Sequence, residues 1–467
     1  MALLDDVGEL TGKRFRSMSF VGGGSLPPVD ATGLPPGPRW PALAQTAALL
    51  RFRHRFHPYL HRKYGDVFTV RLVPRGRPLV FFTRPEHTKE IFAGDPEVFH
   101  AGKANSILGP IMGEHSLLLQ DSIEHKRARK LLMPAFNGHA LREYESLVTE
   151  LARAEVARWR SGSDFRSLDR MNALTLEVIL RVVFGVTDEA RLAELRPRVN
   201  ATVDISPAVL LGWGYPRLQR FGPWKRTVDN QYALDRLMYA EIRERRLAPD
   251  LAERTDVLSR LMLAGAAEGD TPSSQLGDQL SDTELRDQLV TLLLAGHETT
   301  ATALSWALYE VGRNPELLAR TQRAADEGDD DWLDAVLKEA MRLHPVIPMV
   351  VRTLMKPATI GGVDVPAGAT VGPSIIVSHQ RSEAFPDPEV FRPERFLGHN
   401  PPTNTWIPFG GGVRRCIGAG FSLMEGVAVL REVFKEYGVE ALGSDEPKVR
   451  NITSVPRNGA RIRIIAR

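Results

Sequence analysis

The stretch that decides the reading of this chain is Phe409-Gly410-Gly411-Gly412-Val413-Arg414-Arg415-Cys416-Ile417-Gly418-Ala419-Gly420-Phe421. It holds the only cysteine among 467 residues. Glycines crowd both sides of that cysteine and two arginines precede it. An apolar amphipathic pattern, Phe421 to Tyr437, begins just beyond and predicts a helix. A thiol near a helix N-terminus meets free backbone N–H groups, the positive end of the dipole and the neighbouring cations, all of which favour thiolate over thiol. The glycines do not make a phosphate loop, because neither G-x-G-x-x-G spacing nor a following G-K-[ST] is present. A buried inert thiol is the commoner fate of a lone cysteine, but it leaves the flanking glycines unexplained. A soft thiolate that accepts hydrogen bonds suits haem iron.

Composition narrows the alternatives. A single cysteine excludes intramolecular disulfides, cysteine zinc sites, a C-x-x-C-H covalent haem site and an iron–sulfur cluster held within this chain. At 25% charged and 43% hydrophobic residues the chain is globular rather than disordered or fibrous. Lys+Arg 60 against Asp+Glu 57 gives a net charge of +3 with no basic stripe, which argues against a nucleic-acid binder. No apolar run reaches the ~18 residues of a membrane span. Met1-Ala2-Leu3-Leu4-Asp5-Asp6 lacks the basic region and apolar core of a signal peptide. A cytoplasmic protein without an integral membrane anchor is expected.

Length alone suggests roughly three domains, but the pattern favours one. Residues 1–40, with Gly22-Gly23-Gly24-Ser25 and Leu34-Pro35-Pro36-Gly37-Pro38, read as an extended segment. Residues 41–467 read as a single helix-rich domain with small β regions. Val67–Val73 and Pro78–Phe82 flank a turn at Pro74-Arg75-Gly76-Arg77. A second β patch is expected around Ile360–Val365, a loop near 264–280 and a last strand at Ala460–Ile465.

The most informative helix begins near Asp282. Ser281-Asp282-Thr283-Glu284 fits a capping box, with Leu280 and Leu285 as a hydrophobic staple. Pro315 predicts its end at Asn314. The middle, Val290–Gly296, is apolar nearly all round, as in a helix buried through a core. His297-Glu298-Thr299-Thr300 follows abruptly. His297-Glu298-Thr299-Thr300-Ala301 lacks the second histidine of H-E-x-x-H, so zinc hydrolysis is rejected. Two readings stay open for this turn on its own: a core helix with a satisfied threonine, or Ala295 and Gly296 leaving room for a flat or small ligand near the Thr299 hydroxyl. Glu339-x-x-Arg342, an i,i+3 acid–base pair, is uninformative alone.

Taken together, the cysteine loop, the Ala295-Gly296-His297-Glu298-Thr299 turn, Glu339-x-x-Arg342 and Phe391-Arg392-Pro393-Glu394-Arg395-Phe396 resemble the cytochrome P450 family in order and spacing, over nearly the whole chain. The resemblance implies a mainly α fold with small β regions, a triangular helical prism around a buried haem b (iron protoporphyrin IX). It implies Cys416 as the iron ligand, with Ala295, Gly296 and Phe409 also against the haem. His125, Arg129, Arg352 and Arg414 are implied as partners of the haem propionates. Thr299 and Glu298 are implied as the hydroxyl and acid that deliver protons, and Glu339, Arg342 and Arg395 as a buried charge cluster that orders the segment before the cysteine loop.

The activity so implied is a monooxygenase that inserts one oxygen atom of O2 into a C–H bond of a lipophilic small molecule (terpenoid, steroid or fatty acyl type). Its pocket is expected along Ile107, Leu108, Ile111, Met112, Leu292, Ile347, Met349 and Val350, with the tail Ile452–Val455 contributing. Those residues are apolar, which suits a lipophile. No flavin or nicotinamide fingerprint is present, so electrons are expected from a separate ferredoxin and an NAD(P)H-dependent ferredoxin reductase. Lys126, Arg127, Lys130 and Arg415 form the expected docking patch. A monomer is expected. A non-catalytic haem-thiolate sensor would not need Thr299 and Glu298, and a peroxide-using peroxygenase usually lacks that pair; both remain alternatives.

Overall fold

The structure is a computed structural model that describes residues 26–73, 76–205, 209, 212, 217–264 and 279–467. Residues 1–25 of the expected extended segment, Pro74 and Arg75 of the expected turn and most of the loop near 264–280 lie outside the described residues. The contacts divide the chain into two units: one of residues 26–100, 141–178 and 297–467, the other of residues 101–140 and 179–296.

Among the described residues, the first unit carries every strand. β1 (Val67–Leu72) and β2 (Arg77–Phe82) form the expected antiparallel pair. β2 runs parallel to β8 (Thr370–Pro373), which pairs antiparallel with β5 (Arg352–Leu354), which in turn takes the two-residue β3 (Phe99–His100). Side chains alternate across a strand, and here both faces are buried. Val80 and Phe82 join Ile91, Phe92, Leu354 and Val371 in one apolar cluster. Leu79 and Phe81 join Phe68, Val70 and the α1 (Ala42–Tyr64) residues Leu49, Phe56 and Leu60 in another. That double burial is why β2 reads as a continuous apolar run rather than as an alternating one. α2 (Pro85–Ala93) brings Ile91 and Phe92 to the first cluster.

Three smaller β elements complete this unit. β6 (Ala358–Ile360) and β7 (Val363–Val365) make the hairpin expected around Ile360–Val365. β4 (Asp164–Arg166), β12 (Arg461–Ala466) and β9 (Tyr437–Ala441) form a three-stranded sheet that takes in the predicted last strand. β10 (Pro447–Arg450) and β11 (Thr453–Pro456) form a separate hairpin.

The second unit is helical, with no strand among its described residues. It contains α3 (Ser122–Leu132), α6 (Glu189–Val203), α7 (Gly222–Leu247) and α8 (Val257–Leu263). The buried Leu192, Leu195 and Val199 of α6, and Leu234, Met238 and Ile242 of α7, follow the i, i+3/4, i+7/8 spacing of an apolar helix face. The chain passes between the units within α4 (Gly138–Val156), α5 (Ser167–Phe184) and α9 (Asp282–Val311).

α9 starts as the sequence predicts. Ser281 N donates to Glu284 Oε2 at 2.8 Å and Glu284 N donates to Ser281 Oγ at 3.2 Å, the two reciprocal bonds of a capping box. It ends at Val311, short of the expected Asn314. The amides of Arg313 and Asn314 bond the carbonyls three residues back, which tightens the last turn. Asn314 is thereby free to cap the next helix, α10 (Pro315–Glu327), and its side chain accepts from Glu316 N and Leu317 N. α11 (Asp330–Leu343) is capped likewise by Asp329, which accepts from Trp332 N. α12 (Ala419–Glu436) begins three residues after Cys416.

Candidate active site

In the first unit, the cysteine loop is held by backbone bonds. Gly410 N donates to Ile407 O at 3.0 Å, Arg415 N to Gly412 O at 3.1 Å and Cys416 N to Phe409 O at 2.9 Å. The glycines answer to this tight path. Gly410 and Gly412 lie at φ +65° and +64°, where a Cβ is strained. A Cβ on Gly411 would meet the Phe92 ring at 2.2 Å, and one on Gly412 would meet the Phe92 carbonyl oxygen at 2.0 Å. The loop therefore lies flat on α2 and leaves Cys416 exposed at the entry to α12. Phe409 is half-buried, its ring edge-on to Trp406 with centroids 5.9 Å apart.

Behind this loop sits the predicted charge cluster, and the structure brings its members together. Arg342 Nε and Nη2 donate to the two Glu339 carboxylate oxygens at 2.7 and 2.8 Å, and both side chains are fully buried. Arg395 Nε reaches Glu339 Oε1 at 3.3 Å and Arg392 N reaches the same oxygen at 2.9 Å. His379, which no sequence motif singled out, links this cluster to the loop. Its carbonyl accepts from Arg342 Nη1 at 2.9 Å, and its Nε2 accepts from Ile407 N at 2.9 Å. Burial, with the Arg342 charge beside it, pushes the imidazole down to about 3, so it stays neutral and keeps an acceptor for Ile407.

The C-terminal part of α9 belongs to the same unit. The buried His297 offers its carbonyl to Thr175 Oγ1 at 3.0 Å, while Thr299 is half-buried. The Glu298 carboxylate is buried and pairs with Arg450 of β10, Nη1 to Oε1 at 3.1 Å. One residue past Thr299, Thr300 Oγ1 lies 3.0 Å from Ser422 Oγ and bonds the fully buried Glu425 of α12. Burial pushes the Glu425 carboxyl up to about 8, a shift the Thr300 bond opposes only in part, so the acid is mostly protonated at neutral pH. Neither Glu425 nor Arg450 is legible as a partner in sequence, because each lies more than 120 residues along the chain from the group it meets.

Of the other predicted residues here, Arg352 is buried on β5 with Nη1 donating to Val351 O, and Arg414 is half-buried in the cysteine loop. Ile347 and Val350 pack partly on one apolar cluster of the sheet, and Met349 on the other.

In the second unit, His125 is buried and Arg129 half-buried on α3. Arg127 departs from the expected open patch. Its guanidinium pairs with Glu284 of α9 and donates to Gln279 O at 2.8 Å, whereas Lys126 and Lys130 are exposed. A Cβ on Gly296 would meet Ile179 Cδ1 at 2.7 Å, so this glycine serves the approach of α5, while Ala295 beside it is exposed.

Ile107 and Ile111 join an apolar cluster with Ile205, Val209, Trp224, Val228 and Leu294, while Leu108, Met112 and Leu292 are buried near them in sequence. Buried polar groups set the position of this wall. Gln231 Nε2 donates to the carbonyls of Pro110 and Ile111, and Asp287 accepts His115 N at 3.0 Å. A Cβ on Gly113 would strike the Asp287 carboxylate, so the segment after Met112 lies directly on α9.

The donor set of the first unit fits a haem. It offers one soft sulfur, exposed, at the N-terminal end of an 18-residue helix whose dipole favours thiolate. A Cβ on Gly418, two residues on, would meet nothing within 4 Å, which leaves the approach beside the sulfur open. Arg352 and Arg414 supply cationic groups suited to carboxylates. Among the described residues no group of three or more His, Cys, Asp or Glu could hold a metal ion, and no helix is long and apolar enough to cross a membrane.

Comparison with known proteins agrees with this geometry. The sequence profile of the family Cytochrome P450 matches residues 34–463. The chain is 52% identical over 437 residues to cytochrome P450 135A1 of Mycobacterium tuberculosis, covering 93% of this chain and 96% of that protein. It is 41% identical over 445 residues to cytochrome P450 135B1 of Mycobacterium bovis, covering 94% and 92%. Its fold is similar to that of a solved structure described as retinoic acid bound cyanobacterial CYP120A1, with a TM-score of 0.80 over 95% of this chain and 100% of that one at 24% identity. The chain belongs to the cytochrome P450 family, haem-thiolate monooxygenases that act as oxidoreductases.

Proposed function

We propose that this protein inserts one oxygen atom of O2 into a C–H bond of a lipophilic small molecule, drawing electrons from a separate ferredoxin and its NAD(P)H-dependent reductase. The observation that carries the reading is the pairing of an exposed thiol at a helix N-terminus with an acid–threonine pair, Glu298-Thr299, in the same unit. Haem b, when bound, supplies the O2 activation chemistry.

What the chain supplies is placement. Cys416 is the proposed iron ligand, and the tight Phe409–Gly412 turn fixes its sulfur. The Phe409 ring is proposed to lie against the macrocycle together with Ala295. His125, Arg129, Arg352 and Arg414 are proposed to hold the propionates. Thr299 holds a proton at its Oγ, and Glu298, one residue before it, replenishes that proton. Glu339, Arg342 and Arg395 keep the segment before the cysteine loop in one arrangement; buried ion clusters order structure more surely than they stabilise it. The apolar side chains Ile107, Leu108, Ile111, Met112, Leu292, Ile347, Met349 and Val350 support a terpenoid, steroid or fatty acyl substrate.

The test is spectroscopic and then catalytic. The reduced wild-type protein should give the red-shifted Soret band with carbon monoxide, and Cys416→Ser should lose it, because an alcohol is a harder and far less acidic donor than a thiol. Product from a lipophile should then require NAD(P)H, O2 and surrogate redox partners. Product formed equally well from peroxide alone would overturn the electron-dependent reading.

A further inference from the structure

The hairpin β10–β11 turns at Asn451 and Ile452, and Ile452 is 43% exposed at its tip. Its backbone is gripped from two directions within the first unit. Arg53 of α1, 3% exposed, donates through Nη1 to Ile452 O at 3.1 Å and through Nη2 to Asn451 O at 2.8 Å. Ser454 N donates to Val346 O at 2.8 Å, and Ser454 Oγ lies 2.6 Å from His54 Nε2. A third grip is ionic. Arg450, which faces Thr453 across the turn, meets Glu298 of α9, with the arginine side chain 28% exposed and the carboxylate 6% exposed.

A carboxylate this far out of water requires a partner to stay charged. The cation that meets it stands on the short hairpin whose segment Ile452–Val455 is expected to contribute to the substrate pocket. We propose that Arg450 is a positioning residue for Glu298, and that through it the hairpin tip couples occupation of the pocket to proton delivery at Thr299. This rests on the monooxygenase reading above. A ligand pressed against Ile452 acts on a segment two residues from Arg450. With the tip backbone pinned by Arg53 and Val346, the Arg450–Glu298 pair takes up the displacement. Such coupling is reciprocal: whatever a ligand does to the ion pair, loss of the pair does to ligand affinity.

The experiment is a double-mutant cycle on binding, using the haem-loaded protein and the lipophilic azole clotrimazole as probe, followed by the Soret shift. The set comprises wild type, Arg450→Gln, Glu298→Gln, the double variant and Arg450→Lys. Each neutral single variant should change the dissociation constant three- to tenfold. The double variant should change it no more than the larger single, and the lysine variant should stay within twofold of wild type. If Arg450→Gln fails to fold with haem, Arg450→Met replaces it in the cycle. Single effects that multiply in the double variant, or singles that leave the constant unchanged, overturn the inference. If the wild type lacks the red-shifted carbon monoxide band, the monooxygenase reading falls and this inference with it. An intact band with multiplicative effects sinks this inference alone.

Discussion

His379 Nε2 accepts the backbone N–H of Ile407 at 2.9 Å, two residues before the cysteine loop begins at Phe409. The same residue's carbonyl takes a bond from Arg342, so a single buried side chain and its own backbone connect the charge cluster to the loop that presents the thiol. His379→Leu removes the acceptor and leaves a buried N–H without a partner. The expected cost is about 1–3 kcal/mol, read from urea unfolding of the haem-loaded protein. A growing share of reduced protein lacking the thiolate-type carbon monoxide band should accompany it. Stability and spectrum both equal to wild type would show that the loop does not depend on this bond.

Glu425 predicts a pH dependence of definite sign. Its carboxyl titrates near 8 in the fold against an ordinary 4.5, so between those values unfolding releases a proton that the folded protein retains. Stability from this group is therefore undiminished below about pH 4.5, falls as pH rises through the window and levels off above 8. Glu425→Gln keeps a hydrogen-bonding partner for Thr300 and removes the titration. Its advantage over wild type in urea midpoint should grow from about pH 5 to pH 8. His379 works at the other end: with its folded value near 3 against 6.5, it withdraws stability as pH falls from 6.5 toward 3. The two residues can be separated by running each variant across the full range.

Arg342→Lys tests the fully buried pair. Lysine cannot reproduce the two parallel bonds to Glu339 or the bonds to the carbonyls of His379 and Val390. The charge beside Glu339 is kept, but the buried acceptors lose their donors, at a cost of about 1–3 kcal/mol for each group left unsatisfied. Poor haem retention during purification and a lowered unfolding midpoint are the expected observations. A midpoint within about 0.5 kcal/mol of wild type, the scale of a solvated surface site, would contradict the burial seen here.

Thr299→Ala addresses proton delivery. Haem content and azole affinity should stay close to wild type, while a larger share of the NAD(P)H consumed appears as hydrogen peroxide. The quantity to measure is product formed per NAD(P)H. If that ratio is unchanged, the hydroxyl of Thr299 has no part in the proton path, and the neighbouring Thr300, already bonded to Glu425, is the next residue to vary.

The proposed docking of an acidic electron donor is tested at Lys126 and Lys130; Arg127 pairs instead with Glu284. Reversing the two lysines to glutamate should slow ferredoxin-dependent reduction several-fold at low ionic strength and leave dithionite reduction unaffected. Arg127→Glu should instead destabilise the start of α9, where Glu284 also serves the capping box. Stopped-flow reduction at several salt concentrations distinguishes these outcomes. A rate indifferent to salt and to both lysines would place docking on another surface.

Local signals carried much of this fold. The capping box at Ser281 and Glu284 and the continuous apolar run of β2 act over a few residues, so they are legible in sequence and appear where they are expected, whereas the helix before Pro315 ends at Val311 rather than at Asn314. The cysteine loop is legible because glycine spacing restricts what the backbone beside Cys416 can do, but the Glu339, Arg342, Arg395 set is legible only through the family resemblance, an i,i+3 pair being uninformative alone. What tertiary structure alone decided are the partners that meet from distant parts of the chain. Glu298 could have been solvated, but it is buried against Arg450, 152 residues away. Glu425 could have been an ordinary helix carboxylate, but it is fully enclosed and mostly neutral at pH 7. A Cβ on Gly296 would meet Ile179, a neighbour more than 100 residues earlier in the chain. Burial and the identity of a charged group's partner are set by packing among elements far apart in sequence, and no local pattern encodes them.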